Sequence, residues 1–175
     1  MVFFRNVQLR WTPWQKGDSR FAIALERPGA SADQGDFAGR IELQDVKGRF
    51  PLPDLSAQYR HAAGWGHVQL AGILRQMKWD DLNTDQFDLS GDATGWGLNL
   101  SSNIKIAKKH VARLSVVYGE GIQNYMNDAP VDVGIERNLS NPRTPVTGKA
   151  LPSSASSPSS TSTGTRSGRA RWATR

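Results

Sequence analysis

The chain has 175 residues, of which 38% are hydrophobic and 22% charged, and it contains no cysteine. The absence of cysteine excludes disulfides, thiolate metal sites and thiol nucleophiles, and no apolar run approaches the ~20 residues of a membrane-spanning helix. The net charge of +6 reflects 22 basic and 16 acidic residues. The acid-free segment 151–175 contributes +4 of this net charge through four arginines, so the basic excess comes mostly from the tail and is weak support for a nucleic-acid partner.

Alternating apolar and polar residues dominate residues 7–118. Val7, Leu9 and Trp11 alternate with polar neighbours, and the pattern is clearest between Trp96 and Ile106. A period of two indicates β-strands with one apolar and one polar face. The sequence therefore predicts six strands, centred on residues 7–12, 21–25, 55–59, 68–74, 96–106 and 112–118.

The connections between these strands alternate in length. Short turns are predicted around residues 16–18, 62–66 and 107–109, whereas long segments occupy residues 28–50, 80–90 and 119–151. An antiparallel up-and-down meander with short turns at one end and long loops at the other is typical of an outer-membrane barrel. We therefore predict an all-β fold that is part of a transmembrane β-barrel. It is expected to be open and incomplete, since about six strands are fewer than the ~8 of small bacterial barrels.

Basic side chains occupy polar positions of the predicted strands. On a soluble protein they would form a solvated outer face, and a soluble β-barrel module that binds a small ligand is the alternative interpretation. In a membrane barrel the same positions line the lumen, where guanidinium groups attract anions and match carboxylates geometrically. We expect this basic set to lie opposite Leu9, Ile23, Leu98 and Leu114. The predicted pore-lining and solute-binding residues are Arg10, Arg20, Arg60, Arg75, Lys105 and Arg113.

Four runs stand out within residues 2–151: FRNVQLRW (4–11), PDLSAQYR (53–60), GWGLNL (95–100) and VVYGEGI (116–122). In this order they resemble Gram-negative outer-membrane porins of the DcaP-like family. The resemblance implies a homotrimer in the cell outer membrane, in contact with lipid. It also implies an Arg-rich constriction and passive diffusion of small anionic solutes such as dicarboxylates. The chain departs from the family in having too few strands for a closed barrel and no export signal before its first strand.

Residues 152–175 differ in composition from the rest of the chain. They are rich in serine, threonine and arginine and lack alternation, which predicts a disordered tail after a partial porin barrel at residues 1–151. A second hypothesis is a frameshift near Leu151. Serine codons of the TCN type, shifted by two bases, can encode an apolar run that resembles another strand.

The remaining motifs give little support for metal binding or catalysis. Asp81, Asn83 and Asp85 match the start of a calcium loop, but the glycine and the final glutamate of that motif are missing. His61, His67 and His110 lack the spacing of a zinc site. No nucleophile elbow or phosphate-binding loop is present. We therefore expect a protein that is not an enzyme and needs no cofactor, metal or nucleic acid.

Overall fold

The computed structural model describes residues 7–107, 110–126 and 131–162, and the strands in these ranges form one large and one small sheet. The large sheet is antiparallel and follows the order β1-β2-β5-β6-β7-β8-β11, with β4 paired to β6. Among the described residues it is not closed, because β1 and β11 each have a neighbour on one side only. No helix in the described part of the chain is long and apolar enough to cross a membrane.

All six predicted strands are present, and the structure adds others. The large sheet contains β1 (Gln8–Lys16), β2 (Ser19–Glu26), β4 (Val46–Arg49), β5 (Asp54–Ala63), β6 (Gly66–Asp81), β7 (Gly91–Ala107), β8 (His110–Glu120) and β11 (Pro152–Ser162). The small sheet contains β3 (Ala32–Asp33), β9 (Val133–Arg137) and β10 (Val146–Ala150). Short 3₁₀ turns lie at Gly35–Phe37, Ile41–Leu43 and Gln123–Tyr125.

The short turns lie at one end of the large sheet, as the alternating connection lengths predicted. Two residues join β1 to β2, and Gly17 takes the left-handed φ of 57° that this tight turn requires. Gly66 is the first residue of β6, directly after the second short turn, and its φ is 137°. A Cβ at this position would lie 2.0 Å from the carbonyl oxygen of Asn103. Residues 108–109 of the third predicted turn lie outside the described residues. The meander topology is therefore confirmed.

The long connections form a structured assembly at the opposite end. β4 extends the large sheet by pairing with the last residues of β6, from Val46 opposite Asp81 to Arg49 opposite Lys78. The small sheet has the order β10-β9-β3. A separate apolar core holds this assembly together and contains Leu43, Leu89 and Val146, with Phe37, Val46, Phe87 and Ile135 packed against it.

Strand β11 corrects the domain prediction at the end of the chain. Residues 152–175 were expected to form a disordered tail, but Pro152–Ser162 pairs along its whole length with β8. The expectation was wrong for these residues because backbone hydrogen bonding to an open sheet edge does not require alternating apolar side chains. The sixth predicted strand, which is β8 in the structure, is therefore not at the edge of the sheet. β11 pairs with it and forms the edge instead. Residues 163–175 and their arginines lie outside the described residues, and the frameshift hypothesis stays a prediction.

The register of the strands sorts the side chains of the large sheet into two faces. Residues directly opposite each other on neighbouring strands point to the same side. One row of the polar face comprises Ala22, Gln58, Ala71, Asn99, Val117 and Ala155. The adjacent row of the apolar face comprises Ile23, Ala57, Gly72, Leu98, Tyr118 and Ser154. This two-sided pattern determines the position of every candidate site residue.

Candidate functional site

The predicted basic residues all lie on the polar face of the large sheet. Arg10 is directly opposite Ala24, Arg20 is opposite Arg60, and Arg113 is opposite Asn103. Following the register across the sheet places Arg75 and Lys105 on this side as well. The expectation that these residues share one face, opposite Leu9, Ile23, Leu98 and Leu114, is confirmed.

A trough of about 530 Å³ runs along the polar face. One side is formed by the sheet, and residues from β1, β2, β5, β6, β7, β8 and β11 all contribute. The other side is formed by the segment Gly121–Met126, called the strap here, which contributes Ile122, Tyr125 and Met126. The polar groups around the trough are Gln8, Arg10, Glu26, Ser56, Gln58, Asn99, Ser115, Ser156 and Ser157.

The basic residues occupy different places relative to this trough. Arg10 contributes directly to its lining. Arg20 and Arg60 lie one row nearer the short turns, next to the lining residues Ala22 and Gln58. Lys105 is at the short-turn end, where its Nζ donates a hydrogen bond to the carbonyl oxygen of Gly64 at 3.3 Å.

Arg20 and Arg60 form a cationic pair across β2 and β5. They are direct cross-strand neighbours, an arrangement in which like charges repel. In both side chains Nε is buried and has no hydrogen-bond partner in the described part of the protein, and the same holds for Nε2 of nearby Gln58. Nε of Arg75 also lacks hydrogen-bond geometry, but it lies in an ion pair with Asp54, which Arg20 and Arg60 do not have among the described residues. Within that part of the chain, neither guanidinium forms an ion pair with a carboxylate. Unpaired donors of this kind are suited to an anion that accepts hydrogen bonds from both arginines.

Arg75 has a different environment from the other predicted solute-binding residues. Its Nε lies 3.3 Å from Oδ2 of Asp54, and its Nη1 lies 3.2 Å from Oδ1 of Asp132. Nη1 also donates to the carbonyl oxygen of Gly121 at 2.9 Å, while Nη2 donates to that of Gly29. Since the Arg75 side chain is 0% exposed, protein groups occupy the positions that a solute would need. Arg75 is therefore on the predicted face but is a structural residue.

The carboxylates around Arg75 come from distant parts of the chain. Asp54 begins β5 and is 1% exposed, whereas Asp132 lies just before β9 and is 0% exposed. Backbone N–H groups of Asn124 and Ser31 donate to Asp132 at 3.0 and 3.3 Å. Each buried charge thus has several polar partners, which offset the cost of removing it from water.

Tyr125 connects the strap to this buried cluster. Its hydroxyl donates to Oδ2 of Asp54 at 2.8 Å, and the Arg75 guanidinium lies 5.1 Å from the centre of its ring. Burial, followed by the hydrogen bond to Asp54, raises the pKa of Tyr125 above its ordinary value. The neutral phenol is therefore the form that the folded protein favours.

Sequence patterns missed most of this cluster. Asp54 precedes the first alternating residue of its strand, and Asp132 and Tyr125 lie in a long connection without periodicity. The position of Asp54 could have been predicted from the short turn between β5 and β6. The hairpin register that this turn sets places Asp54 beside Arg75. Nothing comparable positions Asp132, which is more than 50 residues from Arg75 in the chain.

The weak metal motifs have local structural explanations. Oδ1 and Oδ2 of Asp81 accept hydrogen bonds from the backbone of Asn83 and Leu89, and Oδ1 of Asp85 accepts one from Phe87. These are turn-stabilising contacts of the kind that Asp commonly makes. Within residues 7–107, 110–126 and 131–162, no three His, Cys, Asp or Glu residues form a group that could hold a metal ion.

Comparison with known proteins does not assign a function to the trough. Comparisons of the chain with protein-family models, with curated proteins and with solved structures found no match. The two faces of the sheet, the cationic pair and the trough are therefore the observations from which a function can be argued.

The first prediction concerns the stability provided by Arg75. Arg75→Met should lower the free energy of unfolding by about 3–5 kcal/mol, because it leaves two buried carboxylates without their cation. Arg49→Met is the matched control: the Arg49 Nε lies 2.7 Å from Asp80 in a pair whose side chains are 59% and 40% exposed. Such exposed pairs contribute about 0–1 kcal/mol. Equal losses in urea denaturation would contradict the cluster's structural role.

The second prediction concerns the ionisation of Tyr125. A pKa that is higher in the folded than in the unfolded state gives stability that is complete below about pH 10, the ordinary value, and is lost as the pH rises through the folded pKa. Absorbance titrations of wild type and Tyr125→Phe should therefore coincide through about pH 10. The extra phenolate of wild type should appear only at higher pH or on unfolding. An extra phenolate that titrates near pH 10 would show that the phenol is not buried against Asp54.

Proposed function

We propose that the chain is a wall segment of an outer-membrane β-barrel of the DcaP-like type, whose intact form lets small anionic solutes diffuse passively. One observation carries this proposal. The large sheet leaves its apolar face exposed, whereas the strap packs on the part of its polar face that is nearest the long connections. A soluble β-protein buries its apolar side chains, whereas a barrel wall in lipid presents them outward and keeps polar groups inside.

The exposed apolar face is extensive and continuous. Leu98 and Tyr118, which lie opposite each other on β7 and β8, are 50% and 57% exposed. Apolar patches of this extent are rare on monomeric soluble proteins and mark membrane or partner contacts. Large exposed side chains on this face are Leu9, Trp11, Leu25, Leu55, Tyr59, Leu70, Leu74, Leu98, Leu100, Leu114, Val116 and Tyr118.

Tryptophans flank the apolar face at a spacing that suits a bilayer. Trp96 lies near the long-loop end, in edge contact with Tyr118 at 5.7 Å between ring centres. Trp65 lies in the short turn between β5 and β6, where its carbonyl oxygen accepts a hydrogen bond from the backbone N–H of Lys105 at 2.8 Å. Lys105 therefore marks the level of Trp65 along β7. At ~3.3 Å per residue, the β7 segment from Trp96 to Lys105 spans about 30 Å. With a tilt of ~45° this gives about 21 Å across the membrane, close to the ~25 Å apolar band of known barrels.

The cationic pair supports the choice of solute. Arg20 and Arg60 present buried Nε donors without hydrogen-bond partners among the described residues, one row from the trough, and Arg10 contributes a guanidinium to the trough lining itself. A small dicarboxylate can accept hydrogen bonds from two arginines at once. Selectivity by lumen charge and width requires no cofactor or covalent chemistry. In the proposed intact protein, further strands close the barrel and the assembly is a homotrimer in the outer membrane.

A soluble β-barrel module that binds a small ligand is the competing function. It would use the same trough, but its apolar face would have to be covered by other protein. In the membrane proposal lipid contacts Leu98 and its neighbours, whereas in the soluble module other protein would have to contact them. Substitutions at adjacent residues of β7, which point to opposite faces, can distinguish the two.

The third prediction compares adjacent residues that point to opposite faces. Leu98→Arg should strongly reduce co-flotation of the refolded chain with zwitterionic phosphatidylcholine vesicles at high salt, because Arg costs about 2–4 kcal/mol at the bilayer midplane. Asn99→Arg adds the same charge to the polar face and should float like wild type. A wild-type chain that stays in the aqueous phase, or equal effects of both substitutions, would overturn the membrane proposal in favour of the soluble module.

The fourth prediction concerns the anion. The double variant Arg20→Gln, Arg60→Gln should bind succinate at least about tenfold more weakly in calorimetry, because hydrogen bonds to charged groups contribute about 1.5–3 kcal/mol each. Without succinate its stability should equal or exceed that of wild type, since a like-charge repulsion is removed. Lys149→Gln, which alters a surface pair with Glu136 at 3.2 Å, is the control. Unchanged succinate affinity in the double variant would refute the assigned anion site.

A further inference from the structure

A second cavity lies within the assembly formed by the long connections, at the end of the molecule opposite the short turns. Its volume is about 300 Å³, and it lies between two sheets. One wall is the extension of the large sheet by β4 and the end of β6, and the other is formed by β9 and β10 of the small sheet. No residue that lines the trough also lines this cavity, so the two are separate sites.

The cavity is apolar because strand alternation turns apolar side chains into it from both sheets. Met77 and Trp79 are two residues apart on β6 and point to the same side of that strand. Val133 and Ile135 have the same relation on β9. Lys78 also borders the cavity, but it alternates with Met77 and Trp79, so its side chain points to the opposite face. Among the described residues no other ionisable residue borders the cavity.

The indole ring of Trp79 is held in a fixed position in the cavity wall. Its Nε1 donates a hydrogen bond to the carbonyl oxygen of Leu89 at 2.9 Å. A Cβ on Gly91 would lie 2.8 Å from Cζ2 of the ring, and a Cβ on Gly148 would lie 2.6 Å from the same atom. Because both glycines lack a side chain, their backbones can pack closely against the ring. The aromatic surface is therefore in place before a ligand binds, as is typical of small-molecule sites.

The cavity has a closed floor and an open mouth. Met77 and Val146 on the floor are each 2% exposed, whereas Ala32 and Gly48 on the border are exposed and Phe50 is half-buried. A small molecule can therefore enter beside β3 and β4 while the strands stay paired. An apolar cavity of about 150 Å³ is large enough for benzene, so twice that volume suits a molecule of one or two rings.

We propose that this cavity binds a small uncharged aromatic molecule. Phe50 and Trp79 supply aromatic partners, and contacts between rings contribute more than the area that they bury. A charged ligand is disfavoured, because no described side chain directed into the cavity would pair with its charge after removal from water. The proposal goes beyond the solute path and does not depend on it, since the trough is lined by polar groups and suited to anions.

A pair of ligands that differ in charge tests the assigned ligand class. Benzyl alcohol and benzylammonium have the same ring and nearly the same size, and the arginines of the polar face do not attract either of them electrostatically. In calorimetry benzyl alcohol should bind to one saturable site. Benzylammonium should bind at least about tenfold more weakly, a factor that corresponds to about 1.4 kcal/mol.

Filling the cavity should remove the site without altering the rest of the protein. Val46→Phe and Ile135→Phe each add a ring at a position that lines the cavity, and each should weaken benzyl alcohol binding by about tenfold or more. Val116→Phe is the matched control, since it makes the same substitution on the apolar face of the large sheet, where Val116 is 52% exposed. It should bind benzyl alcohol like wild type. Circular dichroism verifies that each variant retains its strands.

Three results would overturn the proposal: no saturable binding of benzyl alcohol to wild type, equal affinity for the two ligands, or unchanged affinity in a folded filling variant. The ligand comparison uses wild type and stays decisive if neither filling variant folds. The site and the membrane function can fail separately. A chain that binds benzyl alcohol but stays in the aqueous phase would retain this site and reject the membrane function, and a chain that floats with vesicles without saturable binding would do the reverse.

Discussion

The register between neighbouring strands is the constraint on which the rest of this structure depends. Side chains alternate across a sheet, so a slip of one residue in any pair would exchange the two faces of that strand. Such a slip would move Arg20 and Arg60 to the side now occupied by Leu70 and Leu100. The hairpin turns at Gly17 and Gly66 fix this register locally, and the contacts of Arg75 fix it at the opposite end.

Arg75 links the register to the long connections. Its neighbour across the hairpin is Asp54, and the same guanidinium reaches Asp132 and the carbonyl oxygens of Gly29 and Gly121. These groups belong to β5 and to two different connections, which a single side chain therefore holds together. In the apolar surroundings of a protein interior such a network is favourable only when every charge is paired, and here the pairing also places the strap.

The sequence predicted the sheet well because its strands carry their own periodic signal. From Trp96 to Ile106 the alternation defines both the strand and its faces, and the shared face of the six basic residues followed from it. The prediction failed where periodicity is absent. Strand β11 is made almost entirely of small polar residues, and its pairing comes from the open edge of β8 rather than from side-chain pattern.

The site was only partly predictable for the same reason. Alternation placed Arg75 on the correct face but could not distinguish a solute-facing guanidinium from one enclosed by Asp54 and Asp132. That difference is made by long-range contacts between segments without periodic patterns. The glycines at 95, 97 and 119 gave no sequence signal that Ile122 packs against them, because glycine is also common in turns and bulges.

The central claim is that the face bearing Leu98 and Leu100 contacts lipid hydrocarbon while the face bearing Asn99 and Ser101 contacts water. A spin-label scan along β7 from residue 98 to residue 104, in phosphatidylcholine vesicles, tests it most directly. Collision rates with oxygen and with a water-soluble nickel complex should alternate with a period of two. Oxygen access should be highest at even positions and nickel access highest at odd ones. Nickel access that is highest at the even positions, or lacks any alternation, would contradict the account.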